Sequence, residues 1–422
     1  MTTLTRRLGL IALALGPAPA LADTDPAAII ATYADIAAAG YADSLTTAQA
    51  LQQAVAALIA QPSDETLAAA RAAWIAARAP YQQTEVFRFG NPIVDDWEGM
   101  VNAWPLDEGL IDYVDASYGG PTDANELAAL NVIATPQLTI AGIAVDASAI
   151  TPALIANTLN EADGIETNVA RGYHAIEFLL WGQDLNGTGP GAGNRPWTDY
   201  ARGEACTNDN CDRRADYLQA ATDLLVGDLD YMAAQWAPNG EARAAVQADP
   251  AAGLVAMLTG MGSLSYGEQA GERMRLGLML NDPEEEHDCF SDNTHNSHYY
   301  DGLGVQNVYL GRYVRADGSV VEGPSLSALV AETDPALDAE LRAKLDTTMA
   351  ALGAIVTAAE GGFAYDMMLE TGNARGEALI MGGVNGLIDQ TRSIERVVTA
   401  LGLDGIAFEG SDSLDNPSAV FQ

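Results

Sequence analysis

Apolar residues recur every three or four positions along most of this 422-residue chain, and alanine fills many of the positions between them. This spacing places the apolar side chains on one face of an α-helix. Residues 212–235, 251–280, 335–359 and 374–401 keep it over many turns. A chain with this pattern must bury one face of each helix against other helices. The sequence therefore predicts an all-α fold made of helix bundles.

Local signals mark individual helices near the N-terminus. Residues 26–60 predict one long helix with a break near Gly40, because glycine weakens a helix interior. Ser63 is a good N-cap for the next helix, with Asp64 and Glu65 in its first turn. Helices are thus expected to begin soon after the first 25 residues.

Strand-like alternation is scarce. Residues 138–145 are the best candidate for a strand, and residues 314–321 predict a hairpin around Asp317-Gly318. Two stretches rich in glycine, proline or polar residues, 184–197 and 282–304, predict irregular loops. The expected β-structure is therefore minor.

The first 22 residues are typical of a bacterial secretory signal peptide. Arg6 and Arg7 form a basic start, residues 8–16 are apolar, and Ala20 and Ala22 predict cleavage before residue 23. The apolar run is too short to span a membrane, and no other segment predicts a span. We expect export to the periplasm or cell envelope, without a membrane anchor in the mature chain.

Charge narrows the range of partners. The chain carries 20 basic and 58 acidic residues, a formal net charge of −38. Such a negative field repels nucleic acids and anionic membrane surfaces, and it attracts cations in general. The charge also suits a surface adapted to saline surroundings, so it does not by itself locate a metal site.

Three cysteines are present. Cys206 and Cys211 flank a polar loop, and in an oxidising compartment a local disulfide between them is plausible. Zinc binding by this pair is the alternative, although the pair lacks CxxC spacing and no second pair exists. Cys289 is expected to be a free, buried thiol.

The chain divides naturally into two helical halves, 23–245 and 246–422, joined near residues 237–250. The segments 78–88 and 266–273 both contain an aromatic residue followed by glutamate and arginine. One helical hairpin, duplicated and diverged, would explain this similarity, and chance likeness of two amphipathic helices is the other explanation.

His174 and Glu177 carry the first sign of chemistry. Residues three apart on a helix share a face, so the imidazole and the carboxylate can converge on one metal ion. The apolar residues that follow, 178–181, indicate a buried helix, in which a charged pair needs partners. Such a pair also occurs by chance, and His174 and Glu177 could simply satisfy each other.

Four ordered segments resemble the motifs of the imelysin family, whose members include iron-regulated envelope proteins and which is also classified as peptidase family M75. Residues 172–184 (GYHAIEFLLWGQD) are similar to its GxHxxE signature. Residues 74–89, 102–107 (NAWPLD) and 284–295 (EEEHDCFSDNTH) are similar to three further family segments. The chain departs from the family pattern at Asp288, so no role is predicted for that position.

The resemblance implies two helical bundle halves whose motifs meet near their interface, and a link to iron. It carries over metal-ligand roles to His174, Glu177, Glu85 and Asp107. It also implies a set of pocket-lining residues: Arg88, Trp104, Ser291, Asn293 and His295. One imidazole and three carboxylates would suit iron, zinc or copper.

Several of these residues have a structural alternative. Glu85 could form an internal ion pair with Arg88, and Asp107 could cap a helix after the preceding proline. The polar segment around His287 and His295 could satisfy buried backbone groups rather than bind an ion. These alternatives stay open at the level of sequence.

Three functions are compatible with this sequence. The first is a non-catalytic protein that binds a metal ion, such as iron, or a metal-bearing ligand at the interface of the halves during iron uptake. The second is a metallopeptidase, since zinc carboxypeptidases use HxxE with a distant histidine; the chain, however, offers no obvious general base if Glu177 is a ligand. The third is an adaptor that contacts another envelope protein.

Overall fold

The computed structural model describes residues 24–421. The predicted signal peptide lies outside these residues. Helices dominate the described part, as the sequence predicts. In the first part of the chain the α-helices are α1 (Pro26–Ala60), α2 (Asp64–Gln82), α3 (Pro92–Asn102), α4 (Glu108–Ile111), α5 (Pro152–Leu154), α6 (Gly172–Trp181), α7 (Cys211–Trp236) and α8 (Glu241–Gln247).

The second part continues in the same manner. Its α-helices are α9 (Pro250–Ser263), α10 (Leu276–Leu280), α11 (Thr294–Leu310), α12 (Leu326–Thr333), α13 (Pro335–Glu360), α14 (Tyr365–Leu369), α15 (Ala374–Ala400) and α16 (Asp412–Asp415). A π-helical segment, Leu264–Arg275, joins α9 to α10, so these three form one continuous rod. A second π-helical stretch, Ile155–Leu159, follows α5.

Short 3₁₀ turns connect several of these elements. They comprise Glu85–Phe87, Ala116–Tyr118, Ala162–Gly164, Trp197–Tyr200, Gly203–Ala205, Pro283–Glu285 and Ala419–Phe421.

Within the described residues, no helix combines the length and apolar character that crossing a bilayer requires.

Helix starts follow the local signals. Asp25 caps α1 by accepting the Ala27 N–H at 2.9 Å, and Ser63 caps α2 by accepting the Thr66 N–H at 3.2 Å. The predicted break at Gly40 is wrong, because α1 runs through it without interruption. A Cβ atom at Gly40 would lie 2.8 Å from Thr84 Cγ2. The glycine therefore serves close packing rather than a bend.

Two small antiparallel hairpins complete the secondary structure. Strands β1 (Gln137–Ile140) and β2 (Ile143–Asp146) pair with Ile140 opposite Ile143, so the predicted single strand is a hairpin. Strands β3 (Arg312–Val314) and β4 (Val320–Glu322) pair around the Asp317-Gly318 turn. The second hairpin is the one that the sequence predicts.

The core lies between the long helices. In the first part α1 packs against α2 and α7, and in the second part α13 packs against α15, with α11 contacting both α2 and α13. One buried apolar cluster extends from Ile29 to Val397, and a smaller one lies between α13, α14 and α15. The division at residues 245 and 246, and a duplication, stay predictions.

Candidate metal centre

Helix α6 carries His174 and Glu177, and every residue of this helix is buried. It begins at Gly172, whose φ is +83° and where a Cβ atom would lie 2.5 Å from the carbonyl oxygen of Val101. Only glycine allows the helix to start this close to α3. The three-residue spacing then places His174 Nδ1 3.1 Å from Glu177 Oε2.

The segment before α11 lies against this helix and holds Glu177 from the other side. The backbone N–H and the hydroxyl of Ser291 both donate to Glu177 Oε1, at 3.0 and 2.6 Å. Glu177 thus has one oxygen fixed by Ser291 and the other directed at His174. Its carboxylate is completely buried.

The same segment brings His287 and Asp288 next to His174. The Nδ1 atoms of His174 and His287 lie 4.0 and 3.8 Å from the same atom, Asp288 Oδ1. The two imidazole rings are 4.9 Å apart, measured between their centroids. Asn293 and Ser297 donate to Asp288 Oδ2 at 2.8 and 2.5 Å, which fixes the carboxylate.

Arg78 of α2 supplies a buried positive charge at this point. Its Nη2 donates to Asp288 Oδ1 at 2.8 Å and lies 3.4 Å from His287 Nδ1, while Nη1 donates to Asn102 Oδ1 at 2.7 Å. The guanidinium also lies over the Tyr173 ring, 4.9 Å from its centroid. Arg78 therefore offsets the negative charge of Asp288.

Burial sets the protonation of the four possible ligands. It lowers the pKa of His174 to about 3, with the Arg78 charge adding to the effect, and it lowers the pKa of His287 well below its usual value. Burial and the nearby Asp288 raise the pKa of Glu177. Burial opposes ionisation of Asp288, but Arg78, His174 and the hydrogen bonds from Ser297 and Asn293 together outweigh it and lower that pKa. At neutral pH both imidazoles are therefore neutral, as metal ligation requires.

The arrangement fits a transition-metal ion. Ligand atoms of His174, His287 and Asp288 all lie within 4.8 Å of one another. Two ligand atoms that are each about 2.1 Å from a metal can be at most about 4.2 Å apart, and the Nδ1–Oδ1 separations of 3.8 and 4.0 Å fall within that limit. An ion bound between these atoms would displace Arg78 Nη2 from Asp288 Oδ1 and His287 Nδ1. His174 Nε2 is buried without a hydrogen-bond partner. Imidazole and carboxylate donors suit iron, copper or zinc.

The other two predicted ligands lie in different surroundings. Glu85 accepts from Arg273 Nη2 at 2.7 Å, and Asp107 accepts from Thr167 Oγ1 at 2.7 Å and from the Tyr118 hydroxyl at 3.1 Å. Two groups of at least three possible ligands occur within residues 24–421, and neither contains Glu85 or Asp107; Glu177 also lies outside both groups and contacts the first one through His174. Metal binding by these two carboxylates stays a prediction.

Glu85 and Asp107 do not make the structural contacts that the sequence suggested, which were an ion pair with Arg88 and a helix cap. Arg88 pairs with Asp95 at 3.0 Å and Glu98 at 3.5 Å, rather than with Glu85. Asp107 occupies the N-cap position of α4, but its side chain makes no capping hydrogen bond. Both carboxylates are instead held by residues distant in the sequence.

The residues predicted to line a pocket divide into two groups. Ser291 and Asn293 hold Glu177 and Asp288, and the Trp104 ring packs edge-on to His287 at a centroid distance of 5.8 Å. The remaining two residues, Arg88 and His295, are not among the contacts of His174, Glu177 or His287 described above. Burial lowers the pKa of His295, whose Nδ1 has no hydrogen-bond partner.

Two of the three cysteines form a disulfide away from this centre, and the third is adjacent to it in the sequence. Cys206 and Cys211 form a disulfide at the start of α7. Cys289 is a free, half-buried thiol next to Asp288, and burial raises its pKa well above the usual value. Its thiolate is therefore scarce at neutral pH.

Three residues of the centre are absent from the ligand set drawn from the sequence: Arg78, His287 and Asp288. Asp288 departs from the family pattern, yet the structure places it at the middle of the group. A signal was available for Arg78, which lies four residues after Trp74 and three before Tyr81 on the buried face of α2. A buried arginine requires an acidic partner.

The chain is similar in sequence and fold to known proteins. The family model described as imelysin (Peptidase_M75) matches residues 37–394. A crystal structure from Parabacteroides distasonis ATCC 8503, described as an iron-regulated protein A precursor, is similar with a TM-score of 0.65 and 21% sequence identity, covering 92% of this chain and 97% of the other. An imelysin-like protein from Psychrobacter arcticum 273-4 is similar with a TM-score of 0.58 and 15% identity, covering 92% and 99%. No curated protein matches significantly.

Proposed function

Because this chain belongs to the imelysin family, we propose that it is an exported, iron-related protein of the cell envelope that binds a transition-metal ion. The ion is held by His174, His287 and Asp288, with Glu177 as a fourth ligand. Iron is the favoured metal, and copper and zinc suit the same donors. The description of the Parabacteroides relative as an iron-regulated precursor supports both the iron link and the export.

One observation carries this proposal: two histidines and a carboxylate from separate parts of the chain converge within 4.8 Å in a buried position. Burying these groups costs free energy unless each of them has a partner. His174 Nε2 has no such partner, so part of that cost remains without an ion. A metal bound through Nε2 would compensate for it, whereas a metal bound through Nδ1 would leave Nε2 unpaired.

Protonation supports binding at neutral pH. The lowered pKa values of both histidines leave their lone pairs free, so the ion need not displace a proton from them. Glu177 has a raised pKa and would lose its proton when the ion arrives. The two carboxylates then offset the charge of the metal beside Arg78.

Binding suits the geometry better than hydrolysis does. His174, Glu177, His287 and Asp288 are at most 2% exposed to solvent. A peptidase must place the scissile bond of a polypeptide next to the metal and a bound water. This centre would have to open widely to admit one. An adaptor role would not require these residues at all, and it predicts that His174→Ala leaves partner binding intact.

Metal content tests the proposal. The mature protein would be purified from the periplasm without chelators or nickel resin, loaded with Fe²⁺, Cu²⁺ or Zn²⁺, desalted and measured by mass spectrometry. We expect about one ion per chain in the unmodified protein. His174→Ala should lose it, whereas His295→Ala, which also removes one imidazole, should retain it.

Two outcomes would contradict the proposal. If the unmodified protein binds none of the three metals, or if His174→Ala binds as much as His295→Ala does, the buried group is structural. Peptide cleavage that a chelator abolishes and Glu177→Gln slows would favour the metallopeptidase instead. Circular dichroism of each variant would establish that the helices are retained.

A further inference from the structure

A second group of acidic side chains lies beside the candidate metal centre. Carboxylate oxygens of Asp184, Asp292 and Asp366 all lie within 4.8 Å of one another. They come from three separate segments: the loop after α6, the segment before α11 and the first turn of α14. No imidazole belongs to this group, so its donors are oxygen atoms alone.

Buried oxygens of Asp292, Asp366 and Glu286 lack side-chain partners within the protein, whereas Asp184 Oδ1 accepts from the backbone N–H and the side-chain amide of Asn186 at 2.9 and 2.8 Å. Asp366 is 2% exposed, and neither of its carboxylate oxygens has a side-chain hydrogen-bond donor. Glu286 is 1% exposed, and its Oε2 also lacks a donor. Asp184, Glu286 and Asp366 line one small cavity of about 10 Å³, which has room for roughly one water-sized particle.

Asp292 belongs to the group of three aspartates but does not line this cavity, and every charged member of the group is acidic. Burial raises the pKa of Asp292 to about 7 and that of Asp366 to about 6, and the charged groups that add to these shifts are other carboxylates of the group. Such a group must either keep protons or bind a cation.

We propose that Asp184, Asp292 and Asp366, with Glu286 beside them, bind a Ca²⁺ ion. Ca²⁺ takes six to eight oxygen ligands at about 2.3–2.6 Å, and ligands at about 2.4 Å can lie up to about 4.8 Å apart. The oxygens of the three aspartates fall within that limit. Mg²⁺ requires shorter bonds and a stricter octahedron, and transition metals prefer the imidazoles of the other centre.

The Cys289 thiol also lines the cavity but does not turn it into a site for soft metals. It is the single sulfur atom among the residues that line the cavity, whereas soft metal ions favour sites with several sulfur ligands. The oxygen donors therefore determine the choice of ion.

A Ca²⁺ ion bound to these aspartates would also stabilise the candidate metal centre around His174. Asp292 lies between Ser291, which holds Glu177, and Asn293, which holds Asp288. Asp184 follows the end of α6 by three residues. A cation that joins Asp184 to Asp292 would therefore fasten α6 to the segment that supplies His287 and Asp288.

Calcium titration tests this site independently of the transition metal. The mature protein, freed of metals with EGTA and dialysed, would be titrated with Ca²⁺ by equilibrium dialysis in about 0.15 M salt, which screens diffuse binding to the acidic surface. We expect one saturable site per chain. Asp366→Asn and Asp292→Asn should each weaken it at least tenfold, because either change removes a charged ligand while keeping the side-chain shape.

Matched variants separate the possible explanations. Asp123→Asn removes an exposed carboxylate elsewhere and should leave Ca²⁺ affinity unchanged. His174→Ala should also leave it unchanged, so a failure of the transition-metal proposal would be visible separately. The absence of a saturable site, or equal weakening by Asp123→Asn and Asp366→Asn, would overturn the inference and show that the buried carboxylates hold protons instead.

Discussion

The ion pair between Arg78 and Asp288 decides whether the candidate metal centre is a stable part of the fold. Arg78 Nη2 and Asp288 Oδ1 are 2.8 Å apart, and the two side chains are 1% and 0% exposed. At an effective dielectric constant of about 20, two unit charges at 2.8 Å attract by about 6 kcal/mol. Removing one partner of a buried pair typically costs about 3–5 kcal/mol, since it leaves the other charge without compensation.

We therefore expect Asp288→Asn to lower the free energy of unfolding by about 3–5 kcal/mol. The measurement is urea unfolding in the presence of a chelator, followed by tryptophan fluorescence and by circular dichroism. Coincident transitions would establish that a single free energy describes the change. Asparagine keeps the shape of the side chain, so the effect reports mainly the lost charge.

A matched control separates the effect of burial from the effect of the distance between the two charged groups. Asp389 accepts from Arg392 at 2.7 Å, but these side chains are 56% and 67% exposed. Exposed pairs contribute only about 0–1 kcal/mol, so Asp389→Asn should have little effect. Arg78→Met combined with Asp288→Leu should be less destabilised than Asp288→Asn, because no buried charge is left alone.

One result would refute this reasoning. If Asp288→Asn costs no more than Asp389→Asn, the charge of Arg78 must already be compensated by another group. Glu177 is the natural candidate, since its charge also acts on Arg78. In that case Glu177 would be ionised without metal, and the proton release expected on metal binding would be absent.

Two further predictions concern the helix start and the acidic group. Gly172→Ala should lower the free energy of unfolding in urea by about 2–5 kcal/mol, because a positive φ and an overlap with a backbone carbonyl add together. Gly318→Ala, at the same φ of +83° but with nothing within 4 Å of its Cβ, should cost only about 1–2 kcal/mol. In chelator, Asp292→Asn should raise the melting temperature at pH 8.5 and have a smaller effect at pH 5.5. The pKa of Asp292 is about 7 in the fold against 3.8 ordinarily, so the folded state holds the proton more tightly and stability falls as the pH rises from 3.8 to 7; part of this loss has occurred at pH 5.5 and all of it at pH 8.5. An equal shift at both pH values would contradict this assignment.

Much of the architecture follows from local patterns. Helical spacing predicts the all-α fold, Ser63 marks the start of α2, and Asp317-Gly318 marks the β3–β4 turn. These features depend on residues a few positions apart, so the sequence contains all the information needed. Gly40 shows the limit of such reasoning, since its effect depends on a contact with Thr84 that no local pattern reports.

The sequence also places His174 and Glu177 on one helical face, and the structure brings them within 3.1 Å. The remaining members of the centre depend on which surfaces meet. Glu177 contacts Ser291 across 114 positions, and Arg78 contacts Asp288 across 210. The family motif predicts no role for Asp288, but in the structure Asp288 compensates the buried charge of Arg78.

The sequence by itself determined the helical fold, the family and one half of the candidate centre, because periodicity, caps and short motifs act within single elements. Only the tertiary structure decided that His287 and Asp288 join His174, that Glu85 lies with Arg273, and that a second group of carboxylates forms nearby. Helical periodicity says which side of a helix is buried, but it does not say which other side chain occupies the same space. Packing and the need to compensate buried charge decide that.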